Sequence, residues 1–252
     1  MNDRYAILIG VNDDTLKGCV HDVQSISNIL KTKFHYKPSH IYTLTDTNTH
    51  SHRNNEGSKT NTKQQILSRI RYLATKPDIR HLWIHVSTHG KDVYGCSRFQ
   101  SFKLTNGEYL SYRELFKEIQ RLPSSCSVFG VMDFCHSGYM GELPYAFEWY
   151  QNRFIRTNEM KTQPMEHKRY PQMYILTSTS NEVSDDVRYK GDTKAGGAFT
   201  MAMVDALNHH DYCLCIPTLF KTIGKILKLR GHKQEPRMLC SVENPWKEFM
   251  VL

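Results

Sequence analysis

Two residues of this chain have the chemistry and the setting of a nucleophile and its base. Cys135 ends the run Val-Phe-Gly-Val-Met-Asp-Phe-Cys over residues 128–135, and His-Ser-Gly follows it. His89 ends the run His-Leu-Trp-Ile-His-Val-Ser-Thr-His over residues 81–89, with Gly90 next. Both runs are apolar and rich in β-branched or aromatic residues, the pattern of strands buried on both faces. Strand ends of a parallel sheet are where α/β proteins gather reactive side chains. A thiolate attacks amide carbonyls, and it needs a base to take its proton and later to protonate the leaving amine. His89 and Cys135 on two such ends fit those roles. Either one alone reads better as a packed structural residue; the pairing points to chemistry. Gly90 and Gly138 leave space for a substrate backbone, and the backbone N–H groups of Gly90 and Cys135 are candidates for an oxyanion site.

The elements that must position this pair follow from periodicity. Residues 5–11 and 40–45 read as strands. Residues 22–33 place Val23, Ile26, Ile29 and Leu30 on one helical face, and residues 63–75 do the same with Ile66, Leu67, Ile70 and Leu73. Residues 47–62 contain no large apolar side chain and read as a surface loop. A poorly defined stretch runs from His89 to Asn106, then a helix near 111–120 precedes the Cys135 strand. Residues 174–180 read as a strand, and 198–207 and 218–229 as helices. Alternating β–α units predict an α/β sandwich of three layers, a mostly parallel central sheet with helices on both faces. The chain reads as a single domain, 1–252. Residues 144–171, long, polar and charged, read as a flexible loop between a larger N-terminal and a smaller C-terminal part.

Composition narrows the class. The 252 residues suffice for one large core, and 39% hydrophobic residues with mixed charges read as soluble and globular. The apolar run near the start is too short for a membrane span or a signal-peptide core, so an intracellular, cytoplasmic protein with no membrane partner is expected. Seven scattered cysteines show no disulfide spacing. The net charge of +8 is dispersed without a recognition motif, so no specific nucleic-acid partner is expected. Cys213 and Cys215 lack a second ligand pair for zinc. His81 and His85 read as packing or edge residues, and His136 is a poor base candidate because adjacent residues of a strand-like segment are expected to point apart. A cysteine phosphatase would need arginine six positions after its cysteine, where Gly141 stands.

Several motifs together resemble the metacaspases, in the caspase-like clan of cysteine peptidases. They are Tyr-Ala-Ile-Leu-Ile-Gly-Val-Asn from Tyr5, Leu-Lys-Gly-Cys-Val-His-Asp ending at Asp22, Ser-Thr-His-Gly from Ser87, Asp-Phe-Cys-His-Ser-Gly from Asp133, Glu-Leu-Pro-Tyr from Glu142 and Gln-Glu-Pro-Arg-Met-Leu-Cys-Ser from Gln234. The separation of 46 positions from His89 to Cys135 suits the caspase arrangement. The resemblance implies a caspase-like fold and hydrolysis after arginine or lysine, hence a protein or peptide partner with a basic P1 residue. It also implies a substrate pocket of Cys19, Asp22, Ser87 and Asp133, and a monomer. Two carboxylates and a hydroxyl suit a guanidinium fork. Without the resemblance, Asp22 reads as a helix-start residue and Asp133 as a strand-end turn residue.

The chain departs from the family pattern at Thr88, which replaces a glycine, and in its acidic residues. Many metacaspases have an acidic stretch after the histidine that contributes to calcium binding; residues 90–107 offer only Asp92. Glu142, Asp185 and Asp186 are too few for a dedicated site, so no cofactor is expected and calcium activation is poorly supported. The first strand starts within a few residues of Met1, as in a type I-like catalytic core without a prodomain. The alternatives are a caspase-like peptidase of different specificity and a non-proteolytic caspase-homology module that binds partners.

Overall fold

The computed structural model describes residues 3–46, 62–92, 100–135, 137, 143–150, 153–157, 170–178, 186–187 and 196–245. The fold begins with β1 (Arg4–Gly10), whose side chains alternate between two buried faces. Ile7 and Ile9 enter one core cluster, Ala6 and Leu8 the other, as the two-residue period of a strand demands. Helix α1 (Cys19–Thr32) covers the second face with Val23, Ile26 and Leu30. Strand β2 (Ile41–Thr45) pairs in parallel with β1. Helix α2 (Lys63–Ala74) starts at a capping box in which Thr62 and Gln65 satisfy each other's backbone N–H groups, a device that stabilises a helix start by about 1 kcal/mol.

Strand β3 (His81–Ser87) joins the other side of β1 in parallel. A small antiparallel sheet then forms from β4 (Gly90–Asp92), β5 (Gln100–Lys103) and β6 (Tyr109–Ser111). It leads into α3 (Tyr112–Ile119), which has its own capping box between Ser111 and Glu114. Strand β7 (Ser127–Asp133) returns to the main sheet beside β3. Strands β8 (Tyr145–Tyr150) and β9 (Arg153–Thr157) make an antiparallel pair, and β10 (Gln172–Thr177) lies parallel to β7. The short pair β11 (Asp186–Val187) and β12 (Gly196–Gly197) precedes α4 (Ala198–His209) and α5 (Ile216–Leu229). Strand β13 (Arg237–Cys240) inserts antiparallel between β10 and β8.

Among the described residues the main sheet has eight strands in the order β2-β1-β3-β7-β10-β13-β8-β9. The first five are parallel. One core cluster packs α2 and α3 against one face; the other packs α1, α4 and α5 against the opposite face. This is an α/β sandwich of three layers. Its central strands are apolar on both sides because both sides are covered.

Two sequence expectations change. The stretch 144–171 is not a loop throughout: its first part is the β8–β9 pair, extending the sheet. Tyr145, Ala146 and Phe147 are buried. The charges that suggest a loop are paired, Glu148 with Arg237 of β13 at 2.5 Å and Arg156 with Glu243, just beyond β13, at 3.0 Å. Residues 158–169 lie outside the described residues, as does most of the loop expected at 47–62. Helix α1 begins at Cys19, so Asp22 sits within its first turn instead of starting it. No helix among the described residues is long and apolar enough to cross a membrane.

Candidate active site

The register of the two central strands sets the geometry. Ser87 at the end of β3 lies opposite Asp133 at the end of β7. The Thr88 N–H donates to the Asp133 carbonyl at 3.3 Å, continuing the ladder by one step. His89 and Cys135 therefore each stand two residues beyond the last paired position, at the same end of adjacent parallel strands. The backbones meet again at Gly90: a Cβ there would lie 1.9 Å from the Cys135 carbonyl oxygen and 2.7 Å from Cδ2 of Phe134. Glycine is needed because the chain's own backbone occupies the space expected to be left for a substrate. Both His89 and Cys135 are partly exposed. Gly138 lies outside the described residues.

The imidazole of His89 has partners from a loop 74–76 residues away in sequence. Its Nε2 lies 2.9 Å from Asp13 Oδ2 and 2.9 Å from Thr15 Oγ1. Asp13 sits in a turn after β1, accepting at Oδ1 from the Thr15 N–H at 2.9 Å, the Thr15 hydroxyl at 2.9 Å and the Leu16 N–H at 3.1 Å. Lys103 Nζ, from β5, lies 3.1 Å from Asp13 Oδ2. Burial raises the Asp13 pKa, but the backbone donors of Thr15 and Leu16, then His89 and Lys103, together hold it far below the usual carboxylate range. Asp13 is thus a carboxylate anion at neutral pH.

The second group of sequence-selected residues lies on the α1/α4 face of the sheet. The Ser87 hydroxyl donates to Asp22 Oδ2 at 2.7 Å. The Gly197 N–H, just ahead of α4, donates to both Asp22 oxygens at 3.0 Å. Asp133 Oδ2 accepts from the Thr200 N–H at 3.0 Å and the Thr200 hydroxyl at 2.8 Å. A Cβ on Gly197 would fall 2.3 Å from Asp133 Oδ2 and 2.9 Å from Asp22 Oδ2, so this glycine backbone lies between the two carboxylates. Asp22, Ser87, Asp133 and Cys19 are all buried. The structure brings Asp22, Ser87 and Asp133 together and places Cys19 one turn ahead of Asp22. It adds the start of α4, whose positive end suits two carboxylates.

Beneath Asp133, fully buried His85 directs Nε2 to Thr200 Oγ1 at 3.3 Å, and its Nδ1 has no hydrogen-bond partner among the described residues. Of the other thiols, Cys126 and Cys240 are pushed up to about 12 by burial and stay protonated. Cys213 and Cys215 flank the start of α5 instead of the strand ends.

The profile of the family described as metacaspase, peptidase C14 domain, matches residues 4–144, which hold both His89 and Cys135. The chain belongs to the metacaspase family. Metacaspase-1 of Schizosaccharomyces pombe is 28% identical over 160 residues, covering 57% of this chain and 36% of that protein. Metacaspase-5 of Trypanosoma brucei brucei is 27% identical over 263 residues, covering 94% of this chain and 50% of that protein. This metacaspase chain thus spans between about a third and a half of the length of these relatives. Among solved structures, a protein from Geobacter sulfurreducens superposes with a TM-score of 0.62 at 15% identity, covering 94% of this chain and 93% of that one. Caspase-1 from Spodoptera frugiperda gives 0.60 at 16% identity, covering 94% and 88%. These likenesses establish the caspase fold, and the family is one of cysteine-type peptidases, which are hydrolases.

Sequence reasoning missed Asp13, Lys103, Gly197 and Thr200. A weak signal existed for two of them: Asn-Asp-Asp-Thr after a strand is turn chemistry near a strand end, and Gly-Gly before an apolar helix marks a backbone that something approaches closely. For calcium, no group of three or more His, Cys, Asp or Glu is placed to hold a metal among the described residues. Glu142 and Asp185, and the side chains of Asp92 and Asp186, lie outside them.

Proposed function

We propose that this metacaspase domain is an endopeptidase cleaving after arginine or lysine, with Cys135 as nucleophile and His89 as base. The observation that carries the reading is the common exit of His89 and Cys135 from in-register strands β3 and β7. In the proposed reaction His89 takes the thiol proton, and the Cys135 sulfur bonds to the scissile carbonyl carbon. Backbone N–H groups of Gly90 and Cys135 are assigned to the resulting oxyanion. Collapse breaks the C–N bond as His89 protonates the leaving amine. Water, deprotonated by His89, then releases the acyl group and regenerates the thiol.

Asp22 and Asp133, with Ser87 and Cys19, are assigned to the basic P1 side chain, since paired carboxylates suit a guanidinium. One observation favours a second reading, a peptidase of other specificity: both carboxylates already accept hydrogen bonds from the start of α4. Arginyl, lysyl and aspartyl fluorogenic peptides offered to the wild type and to Cys135→Ala separate these readings. Turnover of the basic peptides that vanishes in Cys135→Ala is expected. Turnover of the aspartyl peptide alone would favour the second reading, and none of any peptide would favour a non-proteolytic partner-binding module. A monomer acting without metal, nucleic acid or membrane is part of the same proposal.

A further inference from the structure

A base working through one imidazole nitrogen must have its proton held on the other, and hydrogen counting at His89 says which. The Thr15 hydroxyl has a single hydrogen, and it is directed at Asp13 Oδ1. The Thr15 oxygen therefore faces His89 Nε2 as an acceptor. Asp13 Oδ2, 2.9 Å away, is also an acceptor. Two acceptors in front of one nitrogen require a hydrogen on it, so Nε2 is the protonated nitrogen and Nδ1 holds the lone pair in the neutral ring.

We propose that Asp13 is the positioning residue of this active site, fixing the Nε2–H form of His89 so that Nδ1 serves as the base toward Cys135. The proposal deepens the peptidase reading and rests on it for the role of Cys135. Lys103 completes the brace. Its Nζ holds Asp13 Oδ2 at 3.1 Å, its N–H donates to the His89 carbonyl at 2.9 Å, and its carbonyl accepts the Thr88 hydroxyl at 3.0 Å. Thr88, the residue that departs from the family motif, is 1% exposed and thus ties β5 to the histidine turn. Among the described residues, the charged groups that face the ring are Asp13 from the loop after β1 and, through Asp13, Lys103 from β5; Cys135 stands beyond the end of the neighbouring strand β7.

Asp13→Asn is the discriminating variant. Its amide oxygen can keep the bonds from the Thr15 and Leu16 N–H groups, so the turn is retained, while its NH2 group replaces the acceptor facing Nε2. The kcat/KM should fall roughly 10- to 100-fold, less than the ~10⁴-fold known where such a carboxylate is fully buried, with KM little changed. The rate of Cys135 carbamidomethylation, followed by peptide mass, should fall with it. Asp13→Glu should recover part of both losses. Independently of any variant at position 13, two-bond ¹H–¹⁵N spectra of the Cys135→Ala protein, with His89 assigned by His89→Gln, should show the Nε2–H tautomer where the ring is neutral. An Nδ1–H tautomer, or wild-type kcat/KM and alkylation in folded Asp13→Asn, overturns the proposal. A wild type inactive on every peptide, yet showing the Nε2–H tautomer and slower Cys135 alkylation in Asp13→Asn, overturns the peptidase reading while supporting the positioning role.

Discussion

Acid should weaken this fold through His85, a residue outside the catalytic pair. The ring is fully buried, and burial lowers its pKa from 6.5 to about 3. In the unfolded chain it takes up a proton as pH falls through 6.5; in the folded chain it does so only near 3. Between those values the unfolded state binds more protons, so stability is present above pH 6.5 and is lost progressively below it. At 1.36 kcal/mol per unit, the full window corresponds to about 5 kcal/mol, of which about 2 kcal/mol is lost by pH 5. Thr200 spends its hydroxyl hydrogen on Asp133, so Nε2 of His85 is the donor and Nδ1 is a buried acceptor without a partner among the described residues. His85→Leu removes that orphan and keeps an apolar side chain of similar size. Urea unfolding of both proteins from pH 8 to pH 4.5 is the assay. The wild-type midpoint should drop by about 1 M between pH 7.5 and 5 relative to His85→Leu, taking about 2 kcal/mol/M for the slope. Parallel curves for the two proteins would refute the reasoning and assign the acid sensitivity to other groups.

Three further outcomes follow from the site. Asp22→Ala or Asp133→Ala should lower kcat/KM on arginyl peptides by an amount corresponding to about 2–5 kcal/mol, the cost of losing a carboxylate paired with a desolvated cation; equal kcat/KM in both folded variants would remove the pocket. Activity should be the same in chelator and across a calcium titration, and a large activation lost on changing Glu142 or Asp185 would contradict this. Incubated wild type should cut itself after Lys161, Lys168 or Arg169 ahead of Arg156, which is held in β9 by Glu243; mass spectra showing these ends in Cys135→Ala as well, or in neither sample, would count against self-processing.

What was legible in the sequence was what a local pattern can carry. Strands β1, β3, β7 and β10 are apolar on both faces, so their identity and parallel character follow from a few adjacent residues. Strand ends carrying His89 and Cys135 follow from the same runs. The β8–β9 pair was not legible, because Glu148 and Arg156 read as solvated charges until Arg237 and Glu243 arrive from 89 and 87 residues away. Asp13 looks like any turn aspartate, since its bonds to Thr15 and Leu16 are local; only the fold brings His89 within 2.9 Å. The space at Gly90 was misjudged for a related reason. A glycine beside a reactive residue permits a close approach, but the chain's own Phe134 and Cys135 make it.

The proposed pocket raises a question that substitution of the aspartates alone does not separate, because Asp22 and Asp133 accept hydrogen bonds from the start of α4 as well as being assigned to a basic substrate side chain. Removing either carboxylate alters both. Thr200→Val divides them. It keeps the branched shape, the Thr200 N–H bond to Asp133 and the Asp133 charge, and it deletes the hydroxyl that donates to Asp133 at 2.8 Å and accepts from His85 Nε2 at 3.3 Å. A buried hydrogen bond to an ion contributes about 1.5–3 kcal/mol. At roughly 2–4 °C per kcal/mol for a domain this large, the melting temperature should fall by about 3–12 °C. Preference for arginyl over aspartyl peptides should stay within about twofold if Asp133 acts on substrate through its charge, since that charge remains. A loss of preference without a loss of stability would mean that the Thr200 hydroxyl itself meets the substrate and that the anchoring role assigned to it is wrong.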